Sequence, residues 1–163
     1  MTKYQHTVEM HNMQSPNELI PIILSISNFK SVVDVGCGLG TFLRAFKDAG
    51  VKDVLGIDGK WCKKKLLFQN IRENEFLEFD LESEINIERK FDLAICLEVA
   101  EHLSTERASG FVRDLCKLSD IVVFSAAIPY QGGDHHLNEQ PLSYWINLFN
   151  ENGYECFDTI RPK

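Results

Sequence analysis

A glycine-rich segment that follows a short apolar run is the first feature of the chain that could do chemistry. Residues 32–35 (VVDV) lead into residues 36–40 (GCGLG), and a helical pattern begins at Thr41. Glycine permits positive φ and lets a ligand approach bare backbone, while the N-terminus of the next helix presents unpaired N–H groups. The segment therefore suits a nucleotide-like ligand. Its spacing is G-x-G-x-G, whereas the dinucleotide fingerprint G-x-G-x-x-G needs a glycine where Thr41 stands.

Three acidic residues fall at the ends of successive predicted strands. Asp34 precedes the glycine segment, Asp58 ends the second strand and Asp80 follows the third. In open α/β sheets ligands bind at the carboxyl ends of the strands, so we expect these carboxylates at one edge. Asp58 is placed to accept hydrogen bonds from both hydroxyls of a ribose, and Asp80 from the amine of an adenine. The pattern indicates a ligand with several hydrogen-bond donors.

The elements that must position these residues alternate between strand and helix. Short apolar runs predict strands at 31–35, 53–57, 76–79, 91–97, 121–125 and 154–160. Helices are predicted over 15–28, where Ser15 and Glu18 have capping-box spacing, over 41–49, after a cap at Ser104, and after Pro141. The side chains predicted to face the core from the last helix are Leu142, Trp145, Leu148 and Phe149. This alternation predicts βαβ units and a mostly parallel sheet.

The composition fits one ordinary globular domain and disfavours polyanion binding. The chain has 163 residues, a formal net charge of -7 and a pI near 5.2. A nucleic-acid binder normally clusters Lys and Arg against phosphates, so nucleic acid is a disfavoured partner. The longest apolar stretch near the N-terminus, residues 19–26, is too short to span a membrane. The five cysteines are odd in number and lack metal-ligand spacing, which predicts reduced thiols in a cytoplasmic protein without a membrane segment.

The glycine segment, the strand-end acids and residues 91–98 (FDLAICLE) together resemble the ordered motif series of class I S-adenosylmethionine-dependent methyltransferases. The resemblance is strong over residues 31–103, and four motifs in order are more specific than any one alone. It implies a three-layer α/β/α Rossmann-like sandwich with a mostly parallel sheet, and S-adenosyl-L-methionine as the cofactor. The residues that it assigns to the cofactor are Asp34, Gly36, Cys37, Gly38, Gly40, Asp58, Gly59, Lys60, Asp80, Leu81, Leu97 and Glu98.

The resemblance also implies a role for each position. Asp34 and the glycine turn would hold the methionine portion, and Asp58 would take the ribose hydroxyls. The residues implied beside the adenine are Gly59, Lys60, Asp80 and Leu81, and those implied near the reactive methyl group are Leu97 and Glu98. Trp61 either packs beside the adenine or belongs to the core or the surface.

The resemblance departs from the family pattern at the C-terminus. The family fold ordinarily has a seventh, antiparallel strand after the sixth, and this sequence ends at Lys163, directly after the predicted sixth strand. Either that strand is absent or the sequence is a piece of a longer protein. We predict a single domain over residues 1–163, with residues 1–14 loosely held.

The loop after the fifth predicted strand carries a second resemblance. It is similar to a methyltransferase subgroup in which a proline, two glycines and His-x-Asn-Glu precede an aromatic helix. His136, Asn138 and Glu139 match that pattern. A loop at this position lies over the same end of the sheet as the cofactor, so its polar groups are predicted to face the acceptor.

Methyl transfer from a sulfonium is an in-line displacement, which needs alignment of the acceptor and removal of its proton. The predicted catalytic residues are His136, His135, Glu98 and His102, and Glu101 is a further candidate base. Imidazole suits this role at neutral pH, and His136 is the first choice because it lies in the substrate-facing loop. The alternative is that His135 and His136 only fasten the loop.

Residues 98–102 (EVAEH) have a spacing that a divalent metal could use. The run resembles the metal-ligand run of small-RNA 2′-O-methyltransferases, yet it also occurs in metal-free small-molecule methyltransferases. Two carboxylates and one imidazole leave the coordination shell short unless His135 or His136 joins. We therefore assign no metal ligand from the sequence.

The function that these observations predict is S-adenosylmethionine-dependent methyl transfer to an oxygen or nitrogen of a small-molecule or saccharide-type acceptor. The oligomeric state stays open. One alternative is a degenerate domain that binds the cofactor without turnover. The other is an NAD-dependent oxidoreductase, which Thr41 at the position of the third glycine disfavours.

Overall fold

A computed structural model describes residues 12–160 of the chain. The strands are β1 Ser31–Val35, β2 Asp53–Asp58, β3 Phe76–Glu78, β4 Leu93–Leu97 and β5 Val122–Ser125. The α-helices are α1 Gln14–Ile26, α2 Thr41–Asp48, α3 Lys64–Leu67, α4 Ala108–Leu118 and α5 Leu142–Glu151. Short 3₁₀ helices are Glu73–Glu75, Ala100–His102 and Thr105–Arg107.

The five strands form one sheet in the order β3-β2-β1-β4-β5, and every neighbouring pair is parallel. The strand order reverses between β1 and β4, which creates a topological switch point at the carboxyl ends of these two strands. The Rossmann-like α/β/α fold predicted from the sequence is confirmed, with an all-parallel five-stranded sheet in the described chain.

Helices cover both faces of the sheet, because successive side chains of a strand point to opposite faces. On β1, Val32 packs with α1 and α2, whereas Val33 packs with α4 and α5. On β4, Leu93 packs with α1 and α2, whereas Ala94 packs with α4 and α5. Strands buried on both faces need continuous apolar sequence, and this explains why β1 and β4 could be read from the sequence.

The strand predicted over 154–160 is wrong. This stretch is irregular, and its side chains are largely exposed, including Phe157. Tyr154 is attached to the end of α4 through its hydroxyl, which donates to the main-chain oxygens of Cys116 and Ser119. Because this hydrogen bond ties Tyr154 to the end of α4, the apolar residues of the run do not make a sheet pairing.

Several predicted helix boundaries also need correction. The helix α1 begins at Gln14, so Ser15 lies inside its first turn and is not the cap, and the helix continues through Pro21. Ser104 precedes a 3₁₀ turn before α4, and its hydroxyl donates to the Glu82 carboxylate at 2.8 Å. Pro141 does precede α5, but Leu142 is half exposed and does not face the core.

The prediction of a loose N-terminal segment concerns residues 1–14, of which 1–11 lie outside the described residues. Asn12 and Met13 lead directly into α1, which begins at Gln14. Within residues 12–160, every helix falls short of the length and apolar character that crossing a bilayer requires.

Candidate active site

The glycine turn between β1 and α2 is fastened to the end of β2 by Asp58. The Gly38 N–H donates to Oδ2 of Asp58 at 2.7 Å, and the Gly59 N–H donates to Oδ1 at 2.6 Å. Gly36, Gly38 and Gly40 all have positive φ, a region that other residues rarely adopt. Asp58 is buried, and these two hydrogen bonds order the glycine turn at the carboxyl end of β2.

Gly36 joins this turn to the segment that follows β4. A Cβ atom at position 36 would overlap the side chain of Val99, so only glycine allows this approach. The next residue, Cys37, is buried, and burial raises the pKa of its thiol well above the ordinary value. Cys37 is therefore a neutral filler of the turn, and its role in cofactor binding would be limited to packing and to its backbone.

Asp34 is a buried carboxyl group at the carboxyl end of β1. Burial raises the pKa of Asp34 well above its ordinary value, and the neighbouring charge of Asp58 adds to the rise. A cationic group bound beside Asp34 would reverse this effect, because an opposite charge favours the ionised form. The ammonium of an amino-acid moiety is such a group, so the residue fits the role that the sequence predicts.

The residues predicted beside the adenine surround the ends of β2 and β3. Lys60 and Asp80 are exposed, and Oδ1 of Asp80 accepts a hydrogen bond from the Glu82 N–H at 3.1 Å. Leu81 is buried, and its carbonyl accepts from Nε of Arg107 at 2.9 Å. The Phe79 N–H donates to the main-chain carbonyl of Asp58 at 2.8 Å, so the turn after β3 lies next to the end of β2.

Trp61 packs on the backbone directly after Asp58. A Cβ atom at Gly59 would overlap the indole ring, so the ring lies against this glycine. Trp61 is half-buried. The ring thus lies at the tip of β2, next to the residues predicted to surround the adenine, and its packing beside the adenine stays a prediction.

Glu98 closes the carboxyl end of β4 in a strained backbone conformation. Its φ is 56°, a left-handed value that is uncommon for residues other than glycine. Its carboxylate accepts a hydrogen bond from the Ser125 hydroxyl at 2.7 Å and from the Gln131 amide at 3.4 Å. Leu97, half-buried, pairs in register with Ser125. Both residues predicted near the reactive methyl group therefore lie where β4 and β5 meet the following loop.

A buried carboxyl group and two imidazoles form a compact cluster beside the carboxyl end of β4. Glu101, His102 and His136 each offer one ligand atom, and these atoms lie within 4.8 Å of one another. The rings of His102 and His136 are 4.9 Å apart between centroids and nearly perpendicular. The side chain of Glu101 is 0% exposed, and neither carboxylate oxygen has a hydrogen-bond partner among the described residues.

Hydrogen bonds determine which imidazole nitrogens carry a proton. Nδ1 of His136 donates to Oε1 of Glu139 at 2.9 Å, and Nδ1 of His102 donates to the carbonyl of His135 at 3.3 Å. With the protons on Nδ1, the lone pairs lie on Nε2, the nitrogen that acts as base or metal ligand. Burial lowers the pKa of His102, which favours its neutral form.

Glu139 organises the loop that carries His136. Besides His136, it accepts hydrogen bonds from the Tyr130 N–H at 3.0 Å and the Gly132 N–H at 2.9 Å. The carbonyl of Glu101 accepts from the Leu137 N–H at 2.8 Å, which fastens the loop over the cluster. The sequence pattern matched Glu139 without giving it a function; the His-x-x-Glu spacing was the available signal.

The two adjacent histidines take different positions. The ring of His136 belongs to the cluster, whereas His135 contacts the cluster through its carbonyl. His135 has a φ of 60°, and its Nε2 is buried without a hydrogen-bond partner in the described part of the chain. Of the four predicted catalytic residues, the structure thus brings His102 and His136 together with Glu101, and places Glu98 beside Ser125.

Burial of Glu101 predicts a pH-dependent stability. Burial, with the nearby charge of Glu98, raises the pKa of Glu101 from 4.5 to about 7, and His136 opposes the rise. The folded state therefore binds this proton more tightly than the unfolded state, so the free energy of unfolding falls as the pH rises from about 4.5 to about 7. In the presence of EDTA, we expect Glu101→Gln to be more stable than the wild type at pH 8 by on the order of 2–3 kcal/mol, and about equal at pH 4.5.

Urea unfolding at both pH values measures this difference. The matched control is Glu106→Gln, because Glu106 is exposed and its replacement should change stability little at either pH. A Glu101→Gln variant that is less stable than the wild type at pH 8 contradicts the prediction.

Comparisons with known proteins place the chain in a family. The sequence profile of a family described as a methyltransferase domain matches residues 4–158. A curated relative, the mitochondrial ubiquinone biosynthesis O-methyltransferase of Dictyostelium discoideum, is 31% identical over 103 residues. That match covers 53% of this chain and 31% of the relative, so the chain spans about a third of the relative's length.

Solved structures share the fold at low sequence identity. An O-methyltransferase family protein from Burkholderia thailandensis aligns with a TM-score of 0.66 and 12% identity, over 90% of this chain and 50% of that chain. Magnesium protoporphyrin IX methyltransferase from Synechocystis PCC 6803, solved with bound SAH, aligns with a TM-score of 0.64 and 19% identity, over 94% and 80%. The methyltransferase domain of bacterial CtHen1-CN aligns with a TM-score of 0.65 and 22% identity, over 88% and 87%.

The family match and the shared fold agree with the glycine turn, the strand-end acids and the switch point described above. They remove the support for the NAD-dependent alternative, since the family matched over most of the chain is a methyltransferase family. The chain belongs to the methyltransferase domain family and is a class I, S-adenosylmethionine-dependent methyltransferase domain.

Proposed function

We propose that this chain transfers a methyl group from S-adenosylmethionine to an oxygen or nitrogen of a small-molecule or saccharide-type acceptor. The observation that carries the proposal is the cluster of Glu101, His102 and His136 at the same end of the sheet as the glycine turn. The contact between Gly36 and Val99 joins the turn to the segment that bears the cluster. A cofactor site and a proton acceptor are therefore neighbours, as methyl transfer to a protonated acceptor requires.

The residues of the chain have distinct tasks in this proposal. When bound, S-adenosylmethionine supplies an electrophilic methyl group on a sulfonium. Asp34 holds the methionine portion of the cofactor and Asp58 its ribose hydroxyls. Nε2 of His136 takes the acceptor proton, and Glu139 keeps that imidazole in the required tautomer. The loop fastened to the Glu101 carbonyl covers the cluster and limits the access of water.

The relatives favour oxygen as the acceptor atom. Two of the proteins that resemble this chain are named O-methyltransferases, and one of them acts in ubiquinone biosynthesis. The test is a transfer assay with S-adenosylmethionine labelled in its methyl group and a panel of alcohols, phenols, amines and saccharides. Label in an acceptor supports the proposal. Cofactor binding without transfer to any acceptor favours the alternative of a degenerate domain.

The cysteines support a reducing compartment such as the cytoplasm. All five lie within the described residues, and all are free thiols. Three of them are buried, and burial raises the pKa of each of these thiols. Neutral, buried thiols are slow to oxidise, because the thiolate is the reactive form. Cysteines without disulfides are typical of proteins in a reducing compartment.

We also infer that Glu101, His102 and His136 hold a divalent cation, although the sequence alone led us to assign none. A buried carboxyl group without a hydrogen-bond partner is costly unless a ligand satisfies it. Two imidazoles with their lone pairs on Nε2 complete a mixed nitrogen and oxygen donor set, which suits a transition-metal ion such as Mn²⁺. With Nε2 of His136 bound to the cation, that nitrogen could not also take the acceptor proton; the cation would instead lower the pKa of an acceptor hydroxyl, whose proton would leave to solvent.

Removal of the Glu101 carboxylate should abolish this binding. At a free Mn²⁺ concentration of a hundred times Kd, a bound cation adds about 2.7 kcal/mol to the free energy of unfolding. We expect thermal unfolding with and without Mn²⁺ to show that gain for the wild type and for Glu106→Gln, and none for Glu101→Gln. An equal gain in both variants, or none in the wild type, contradicts the metal assignment.

A further inference from the structure

The loop between β5 and α5 is the part of the chain best placed to meet an acceptor. The amide of Gln131 reaches the Glu98 carboxylate, and the Leu137 N–H reaches the Glu101 carbonyl. The same loop supplies His136 to the cluster. The loop therefore lies next to the cluster at which an acceptor atom would react.

The loop exposes large apolar side chains. Of the eight large apolar residues that are exposed in the described chain, four lie between residues 128 and 142. They are Ile128 (54% exposed), Tyr130 (100%), Leu137 (66%) and Leu142 (47%). Clustered exposed apolar residues mark binding surfaces more often than scattered ones do.

The exposure of Tyr130 is imposed by the backbone. Its φ is 70°, which is an outlier for a bulky residue, and its N–H donates to the Glu139 carboxylate. Such strain persists only where the surrounding structure enforces it, and it concentrates at functional sites. Glu139 thus holds the Tyr130 ring outside the core and His136 inside the cluster at the same time.

The charge of this region is one-sided. The loop, residues 126–141, has no Lys or Arg and has two acids, Asp134 and Glu139. Carboxylates and phosphates are recognised chiefly by Arg and Lys, so this region has no side chain suited to an anionic group. The cationic groups that the loop can offer are imidazoles and a cation bound to them. Both lie in the cluster, where the acceptor atom would react.

We propose that the acceptor is an uncharged or cationic small molecule with an apolar body, which packs on Ile128, Tyr130 and Leu137 while its nucleophilic atom enters the cluster. The proposal rests on the proposed function, because it names the substrate class of the same site. It excludes polyanions such as RNA and small phosphorylated acceptors. Apolar burial supplies the affinity, and the carboxylates of the region repel anionic analogues.

The test compares ligands that share one phenol and differ in its substituent. The probes are 4-propylphenol, tyramine, phenol and 3-(4-hydroxyphenyl)propanoate, titrated by NMR against the protein saturated with S-adenosylhomocysteine. We expect 4-propylphenol to bind about tenfold more tightly than phenol, because its alkyl arm is buried. The propanoate should bind at least about tenfold more weakly than 4-propylphenol, and tyramine should bind more tightly than the propanoate.

Variants locate the preference on the loop. In the double variant Tyr130→Ser, Leu137→Ser, we expect the preference for 4-propylphenol over phenol to disappear, with the affinity for S-adenosylhomocysteine unchanged. Ile26→Ser is the matched control, because Ile26 is an exposed apolar residue of α1, which packs on the opposite face of the sheet. It should keep the full preference.

The outcomes separate the two proposals. If the wild type binds S-adenosylhomocysteine but the propanoate binds as tightly as 4-propylphenol, or no probe binds, the acceptor class is overturned and the methyltransferase function stands. A preference that survives in the double variant also overturns it. If S-adenosylhomocysteine itself does not bind, both proposals fall.

Discussion

Replacing Asp58 with alanine should weaken S-adenosylmethionine binding by at least about a hundredfold. Asp58 accepts hydrogen bonds from the N–H groups of Gly38 and Gly59, and the proposed ribose hydroxyls would donate to the same carboxylate. Hydrogen bonds to a charged group contribute about 1.5–3 kcal/mol each, so the loss of two such bonds corresponds to a factor of about 10² or more in Kd. Isothermal titration calorimetry measures the change.

A second substitution changes Gly38, the donor of the same hydrogen bond. Gly38 has a φ of 54°, a conformation in which valine is strained, and its N–H is the donor to Asp58. Gly38→Val should therefore misplace the turn and also reduce S-adenosylmethionine affinity by at least about a hundredfold.

The control for Asp58→Ala is Asp92→Ala. Asp92 also accepts two main-chain N–H groups, from Lys30 at 2.7 Å and Ser31 at 3.1 Å, but it does so at the amino end of the sheet. Its loss should lower the free energy of unfolding and leave the affinity for the cofactor unchanged. If both variants lose affinity equally, the effect is general destabilisation, and if Asp58→Ala keeps its affinity, the cofactor assignment is wrong.

The second large effect is expected at His136. His136→Ala should lower kcat by about 10²- to 10⁴-fold, the range that general-base catalysis supplies. The affinity for S-adenosylmethionine should not change, because the side chain contacts Glu139 and His102 and not the glycine turn. Steady-state kinetics with an acceptor from the panel, together with calorimetry of the cofactor, separates the two quantities.

His135 is the neighbouring residue that distinguishes catalysis from loop folding. Asparagine tolerates the φ of 60° found at His135 and keeps the carbonyl that accepts from His102. His135→Asn should therefore lower kcat by less than about tenfold. Equal losses in the two variants indicate that both histidines only fasten the loop, and full turnover of His136→Ala returns that residue to a structural role.

The central strands and the cofactor turn could be predicted because their signals are local. Both faces of β1 and β4 are buried, so the strands read as apolar runs, interrupted in β1 by Asp34. Glycines at fixed spacing after β1 determine the turn, and Asp58 follows an apolar run at the tip of β2. Topology then brings these ends together, as the switch-point rule requires.

The cluster could be predicted only in part, because it depends on contacts between distant residues. The EVAEH run was visible, but the burial of Glu101 results from loop residues more than thirty positions away, whose N–H groups donate to its carbonyl. The partner of the His136 imidazole is likewise fixed by the fold of the loop. Spacing alone therefore left open whether a second imidazole would reach Glu101.

The errors arose where the local preference of a residue did not match its contacts in the fold. The run 154–160 has strand-forming residues, yet Phe157 is exposed and the Tyr154 hydroxyl is bonded to the Cys116 carbonyl. Leu142 matched a helical spacing but lies at the exposed start of α5. Ser104 had the residue type of a cap, but its hydroxyl donates to Glu82. Tertiary contacts overrode local preference at each of these positions.

Parallel calorimetric titrations of the wild-type chain with S-adenosylhomocysteine and with NAD test the central claim most directly. We predict that S-adenosylhomocysteine binds at one site per chain and that NAD does not bind, because Thr41 replaces the third glycine of the dinucleotide turn. Binding of NAD with no binding of S-adenosylhomocysteine, or no binding of either, would contradict the assignment of the glycine turn and Asp58 as the cofactor site.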